Sequence, residues 1–138
     1  MEKSLQRLTG KQFTDFGLNR NNLAESVYHA PFVIVSHNTD LDPIFNYANL
    51  TAQKLFEMNW VEFTSFPSRQ SAEVPNQAER AELMKAVTNQ GFIENYSGIR
   101  ISKNQRRFQI QDVLVWNLLN SENQYYGQAA FYQHWQFL

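Results

Sequence analysis

The 138-residue chain is long enough for one domain that buries roughly two-thirds of the surface of its unfolded form. Its 12 basic and 13 acidic residues give a net charge of −1, so no global field attracts a phosphate backbone or an anionic membrane. We therefore expect neither nucleic acid nor a membrane as a partner. Aromatic residues are abundant at 14%, which predicts an aromatic core or cavity lining.

The chain contains no cysteine, which excludes disulfides, thiolate zinc sites, cysteine nucleophiles and covalent thiol–flavin photochemistry. The N-terminal segment lacks the apolar run of a signal peptide, and no segment approaches the roughly 20 apolar residues of a membrane span. These features predict a soluble, cytoplasmic protein. His29, His37 and His134 are scattered without ligand-like spacing, so we expect no metal site, and the sequence identifies no cofactor.

We expect residues 1–30 to form a polar, helical N-terminal extension. Leu5 and Leu8 supply the apolar stripe of a first short helix, and Leu23 and Val27 that of a second. Stripes this narrow must lie against the rest of the domain or against a second copy of the chain. The main domain is then expected over residues 31–138.

Short elements follow Pro31. An apolar strand is predicted over Phe32–Val35, and Ile44–Tyr47 is its natural antiparallel partner. Asn49 or Thr51 can cap a short helix, and a second short helix is predicted near Trp60–Phe63.

The strongest helical pattern covers Gln77–Gln90. Asn76 and Glu79 resemble a capping box, and Gly91 occupies the position of a C-terminal cap. The predicted buried side of this helix consists of Ala78, Ala81, Leu83, Met84, Ala86 and Val87.

Three long strands complete the chain, over Phe92–Ser102, Phe108–Leu119 and Tyr125–Phe137. Two short strands, several short helices, one longer helix and three long strands predict an α+β fold. We expect a five-stranded antiparallel sheet with short helices on one face.

Asp112 interrupts the apolar alternation of the second long strand, where it shares its parity with Phe108, Ile110, Leu114, Trp116 and Leu118. A buried carboxylate requires a partner, because an unpaired buried charge is expensive. The favoured interpretation is a structural ion pair with Arg69 or Arg100. The alternative is that Asp112 orients a ligand or holds a proton.

Four stretches resemble the MEKHLA domain, a PAS-related family. They are Pro43–Trp60, Phe66–Glu73, Gly91–Asn120 and Tyr126–Tyr132. The resemblance implies a PAS-like fold of the free-standing bacterial type. The domain also occurs at the C-terminus of plant homeodomain leucine-zipper transcription factors, which implies a role in sensing or in regulating dimerisation.

One turn departs from the pattern of the family. A glycine often precedes the arginine pair, whereas Gln105 precedes Arg106 and Arg107 here. We therefore expect Asn104 to adopt the left-handed conformation that closes the turn.

A PAS-like plan implies a hollow between the inner sheet face and the short helices, and such a hollow is the default binding site. Any one of these aromatic or aliphatic side chains could instead simply fill a core. The candidate lining residues are Phe56, Trp60, Tyr96, Phe108, Ile110, Leu114, Trp116 and Phe131.

Three functions are compatible with the sequence. The leading one is a non-enzymatic sensory or regulatory module that binds a small apolar molecule or a protein partner. It would act as a homodimer through the N-terminal helices or the outer sheet face. The second is a small proton-transfer enzyme in which Asp112 is the base and Tyr96 or Trp116 donates to an oxyanion. The third is a dimerisation domain with a filled core.

Overall fold

A computed structural model describes residues 1–138. Its helices are α1 (Glu2–Thr9), α2 (Leu23–Tyr28), α3 (Leu50–Phe56), α4 (Trp60–Phe63) and α5 (Val74–Gln90). The strands are β1 (Val33–His37), β2 (Phe45–Ala48), β3 (Phe92–Ile101), β4 (Arg107–Leu119), β5 (Tyr125–Tyr132) and β6 (His134–Phe137). Short 3₁₀ turns cover Phe13–Phe16, Arg20–Asn22 and Ser68–Ser71. None of the helices has the length and apolarity needed to cross a bilayer.

The strands form one antiparallel sheet in the order β2-β1-β5-β4-β3. This confirms the predicted α+β class. The last predicted strand is interrupted at Gln133, which separates β5 from β6. Strand β5 pairs with the C-terminal half of β4, where Leu114 lies opposite Phe131, and β6 pairs with its N-terminal half, where Gln111 lies opposite His134.

Each face of the sheet carries its own apolar cluster. Helices α3 to α5 cover the inner face, whose buried residues include Val35, Phe56, Leu83, Val113 and Val115. Residues 1–30 cover the outer face, whose buried residues include Leu5, Phe13, Ile34, Trp116 and Phe131. The N-terminal segment therefore packs on its own domain. This is the first of the two predicted arrangements, the other being packing against a second copy of the chain.

Asn49 links the start of α3 to the sheet. Its side-chain oxygen accepts hydrogen bonds from the backbone N–H groups of Ala52 and Ile34, so Asn49 rather than Thr51 caps the helix. Its amide donates to the carbonyls of Val27 and Phe32. One fully buried side chain thus joins α2, β1 and α3.

Helix α5 begins at Val74, three residues before the predicted start. Pro75 lies in the first turn, where its missing N–H costs nothing, and Glu73 is the N-cap without a side-chain bond. The predicted capping box at Asn76 and Glu79 is therefore wrong. Gly91 ends the helix with φ 95°, and its N–H donates to the carbonyl of Val87, as predicted.

The turn between β3 and β4 also differs from the prediction. Gln105 adopts the left-handed conformation with φ 72°, and Asn104 does not. The chain therefore keeps a positive φ at the position where the family often has glycine, although a glutamine must adopt it here.

Candidate functional site

A β-bulge at Asp112 determines which side chains of β4 face the inner helices. Asp112 has φ 52°, and the register of β4 with β3 shifts across it, from Gly98 opposite Ile110 to Tyr96 opposite Val113. On the other edge of β4, the partner strand changes at the same level from β6 to β5. Because an extra residue reverses the alternation, Ile110 and Val113 both face inward.

The predicted common face of β4 is therefore wrong. Phe108 and Ile110 belong to the inner cluster, whereas Leu114, Trp116 and Leu118 belong to the outer one. Unbroken alternation had placed all of these residues together, and the bulge divides them.

The predicted ion pair of Asp112 is also wrong. The Asp112 side chain is exposed and forms no salt bridge. Arg69 instead pairs with Asp42 at 2.9 Å, where both side chains are about half exposed. Asp112 does not line the inner cavity, so it cannot act there as the base of a proton-transfer enzyme.

A cavity of about 50 Å³ lies between the inner sheet face and helices α3 and α5. This volume holds roughly three to five water molecules, or a small organic molecule in their place. Twelve of its 18 lining residues are hydrophobic. The apolar part includes Val35, Phe45, Phe56, Leu83, Ile110 and Val113.

Three of the eight predicted lining residues, Phe56, Tyr96 and Ile110, line this cavity. Phe108 is buried nearby in the inner cluster without lining it. Leu114, Trp116 and Phe131 pack on the opposite face of the sheet. Trp60 is 39% exposed and stacks edge-on to Tyr47.

Arg80 projects from α5 into the cavity lining. It lies on the buried stripe of the helix with Leu83 and Val87, and it is only 8% exposed. Its guanidinium group makes no hydrogen bond or salt bridge within the protein. Burial, together with the positive charge of Arg100, lowers the pKa of Arg80 to about 10. The side chain therefore stays charged at neutral pH without a partner.

Arg100 is the second buried cation of the cavity, with 6% exposure. Its Nη1 donates to the carbonyl of Ile99 at 2.8 Å, and its Nη2 donates to the hydroxyl of Tyr96 at 3.2 Å. That hydroxyl in turn donates to a carboxylate oxygen of Glu79 at 2.8 Å. Glu79 thus reaches Arg100 only through Tyr96.

Gly98 permits the contact between Tyr96 and Arg100. The three residues alternate along β3, and a methyl group added at Gly98 would collide with the Tyr96 hydroxyl. The spacing Tyr-x-Gly-x-Arg therefore lets two long side chains meet over a residue that has none.

Two further polar groups of the cavity lack a partner. The Nδ1 of His37 lies 2.9 Å from the carbonyl of Asn38, while Nε2 is buried without a hydrogen bond. Burial lowers the pKa of His37, and the charge of Arg80 lowers it further, against the opposing effects of Asn38 and the neighbouring Gln128. The Tyr132 hydroxyl is buried and unpartnered, and burial raises its pKa well above the usual value, so it remains a donor.

Other polar side chains at the cavity are satisfied. The amide of Gln128 lies 3.0 to 3.1 Å from the carbonyl of Met84, the hydroxyl of Thr88 and the side-chain oxygen of Asn117. Three fully buried side-chain atoms have no hydrogen-bond partner: His37 Nε2 and the Tyr132 hydroxyl, which line the cavity, and Ser68 Oγ, which does not. Since buried polar groups normally find partners, the two cavity atoms stand out together with Arg80, which shares their lining and makes no hydrogen bond.

The sequence interpretation missed Arg80 and Tyr132 as site residues, and it considered His37 only for metal binding. A usable signal existed for Arg80, because it falls at helical spacing with Leu83 and Val87 on the apolar stripe. Tyr96 and Arg100 were predicted site residues, and the structure brings both to the cavity.

The structure resembles PAS domains of known structure. A PAS domain from Colwellia psychrerythraea matches with a TM-score of 0.67 and 17% identity over 83% of this chain and 92% of that one. A light-oxygen-voltage domain whose mechanism was studied with a flavin analogue matches with a TM-score of 0.66 and 14% identity over 84% of each chain. A PAS domain from a two-component sensor histidine kinase matches with a TM-score of 0.63 and 10% identity over 83% of this chain and 91% of that one.

At these identities the likeness establishes the fold alone, which is the PAS fold predicted from the sequence. No curated protein matches the chain. The MEKHLA domain matches residues 1–137, which includes the N-terminal segment. The chain therefore belongs to the MEKHLA domain family.

Proposed function

We propose that this chain is a non-enzymatic sensory or regulatory module of the cytoplasm that binds a small molecule in the inner cavity. The observation that carries the proposal is that the unpartnered Nε2 of His37, the unpartnered hydroxyl of Tyr132 and the buried side chain of Arg80, which makes no hydrogen bond, line one cavity. Leaving such groups unpaired costs stability, and a bound molecule that supplied partners would recover that cost.

The similar structures are consistent with this role. One is part of a sensor histidine kinase, and another is a light-oxygen-voltage domain studied with a flavin analogue. The present chain has no cysteine, so a covalent bond between a thiol and a flavin is excluded.

A bound ligand can change the packing between the elements that form the cavity walls. Arg80 belongs to α5 and Arg100 to β3, and β3 is an edge strand of the sheet. A molecule that joined the two arginines would tighten α5 against β3. The change would be a shift in population between a looser and a tighter arrangement.

The homodimer remains part of the proposal, as does a protein partner that reads the state of the module. Residues 1–30 cover the outer sheet face. A second copy would therefore contact the outside of this segment rather than the sheet itself.

Small probes followed by heteronuclear NMR test the binding function. The probes are carboxylates, alcohols and amines with two to six carbons. We expect at least one class to shift the amides of cavity residues with saturation. Replacing Ala130 of the cavity by leucine should abolish the effect by filling the space, whereas Ala81→Leu on the exposed side of α5 should not. Absence of saturable binding by every class would overturn the proposal.

A further inference from the structure

Resting on the proposed function, we infer that the ligand is a short monocarboxylate. Its carboxylate is held between Arg80 and Arg100, and its apolar tail lies against the inner sheet face. The inference goes beyond the family and the fold, neither of which specifies a ligand.

The charges around the cavity leave room for one anion. Arg80 and Arg100 contribute two buried positive charges, and Glu79 compensates one of them through Tyr96. Asp42 attracts Arg80 electrostatically, but it is paired with Arg69 at 2.9 Å, and the positive charge of Arg69 balances it. One positive charge is therefore uncompensated in a low-dielectric site, and a single negative charge would balance it.

The donors fit a carboxylate. A guanidinium group presents paired N–H donors that match the two oxygens of a carboxylate, and every donor of Arg80 is free. The unpartnered Tyr132 hydroxyl supplies a further donor in the same cavity. A phosphate dianion would fit less well, because it would turn the excess positive charge into an excess negative one.

The remaining walls select the rest of the molecule. Phe56, Ile110 and Val113 are apolar and offer no hydrogen bond to a second polar group. The volume of about 50 Å³ admits only a few heavy atoms. A short aliphatic tail satisfies both conditions, whereas a dicarboxylate would bury its second charge among hydrocarbon side chains.

Calorimetric titration with butyrate, 1-butanol and butylamine tests the inference. We expect butyrate to bind at least about tenfold more tightly than either neutral or cationic probe, because charged hydrogen bonds add to the same apolar contact. Arg100→Met should weaken butyrate binding by a similar factor, and Arg80→Met provides a second variant should the first fail to fold. Arg7→Met, which removes an exposed arginine of α1 that bonds only Asn123, is the matched control and should bind as the wild type does.

Each other outcome has a separate meaning. If 1-butanol binds as tightly as butyrate, the cavity is an apolar site and the inference fails while the proposed function stands. If inorganic phosphate binds more tightly than butyrate, the charge argument is wrong. If none of the probes binds, the proposed function fails together with the inference.

Discussion

The two faces of the sheet are built from the same strands but are finished in different ways. On the outer face, residues 1–30 complete the packing and the polar groups find partners. The Trp116 indole donates to the carbonyl of Met1 at 3.2 Å, and the Ser4 hydroxyl both donates to and accepts from the backbone of Leu119. This face is a closed core.

The inner face is equally buried, but its packing is incomplete and some of its polar groups have no partner. It contains a cavity, two buried arginines, and unpartnered atoms of His37 and Tyr132. Evolution tolerates such costs where a ligand recovers them. Under the proposed function, the outer face therefore serves stability and the inner face serves ligand binding.

The largest expected effect concerns the outer face. Trp116→Ala removes a fully buried indole and should lower the free energy of unfolding by about 3 to 5 kcal/mol. Trp60→Ala removes a 39% exposed tryptophan and should cost less than about 1 kcal/mol. Urea denaturation measures the free energy of unfolding of both variants. Equal decreases in the two variants would contradict the assignment of the outer face as the closed core.

Asp112 tests the bulge that separates the two faces. Asp112→Val should lower the free energy of unfolding by about 1 to 3 kcal/mol, because a β-branched residue is strained at φ 52°. Asp112→Gly and Asp112→Asn should be close to neutral, since both residues tolerate this conformation. A large loss in Asp112→Asn would instead show that the carboxylate has the partner that the structure does not give it.

The smallest expected effect is a pH dependence from the inner face. The folded state lowers the pKa of His37 below its usual 6.5, mainly through burial. As the pH falls below that value, the unfolded chain takes up a proton that the folded chain resists, so the free energy of unfolding falls. His37→Gln should remove this contribution to the pH dependence of the free energy of unfolding, whereas His134→Gln, at an exposed position, should leave the pH dependence unchanged. If the pH dependence of unfolding were the same in His37→Gln as in the wild type, His37 would not be a buried neutral imidazole in the folded state.

The order of elements could be predicted because its signals are local. Gly91 ends α5, Asn49 caps α3, and strands β3 and β4 follow the predicted ranges within two residues. The MEKHLA resemblance, carried by motifs in these same elements, led to the correct family and fold.

The candidate site was harder to predict because it depends on two departures from regular patterns. Asp112 interrupts the apolar alternation, but an interruption does not by itself indicate a positive φ. The alternation was therefore extended across the bulge, which placed Leu114 and Trp116 on the wrong face. An arginine on a helix is usually solvated, so Arg80 was not included in the buried side, while Ala78 and Ala81 were included although both are exposed.

The unfolding free energies of the wild type and Arg80→Met, with and without butyrate, test the central claim most directly. Without butyrate, Arg80→Met should be more stable by about 1 to 2 kcal/mol, because it removes a buried charge that makes no hydrogen bond. The exposed control Arg7→Met should change the free energy of unfolding by less than about 0.5 kcal/mol. With butyrate at about 100 times the wild-type Kd, the wild type should gain about 2.7 kcal/mol and Arg80→Met, which binds about tenfold more weakly, about 1.4 kcal/mol, so the lead of the variant should shrink by about 1.3 kcal/mol. Destabilisation by Arg80→Met without ligand, with equal stabilisation of both proteins by butyrate, would contradict the account.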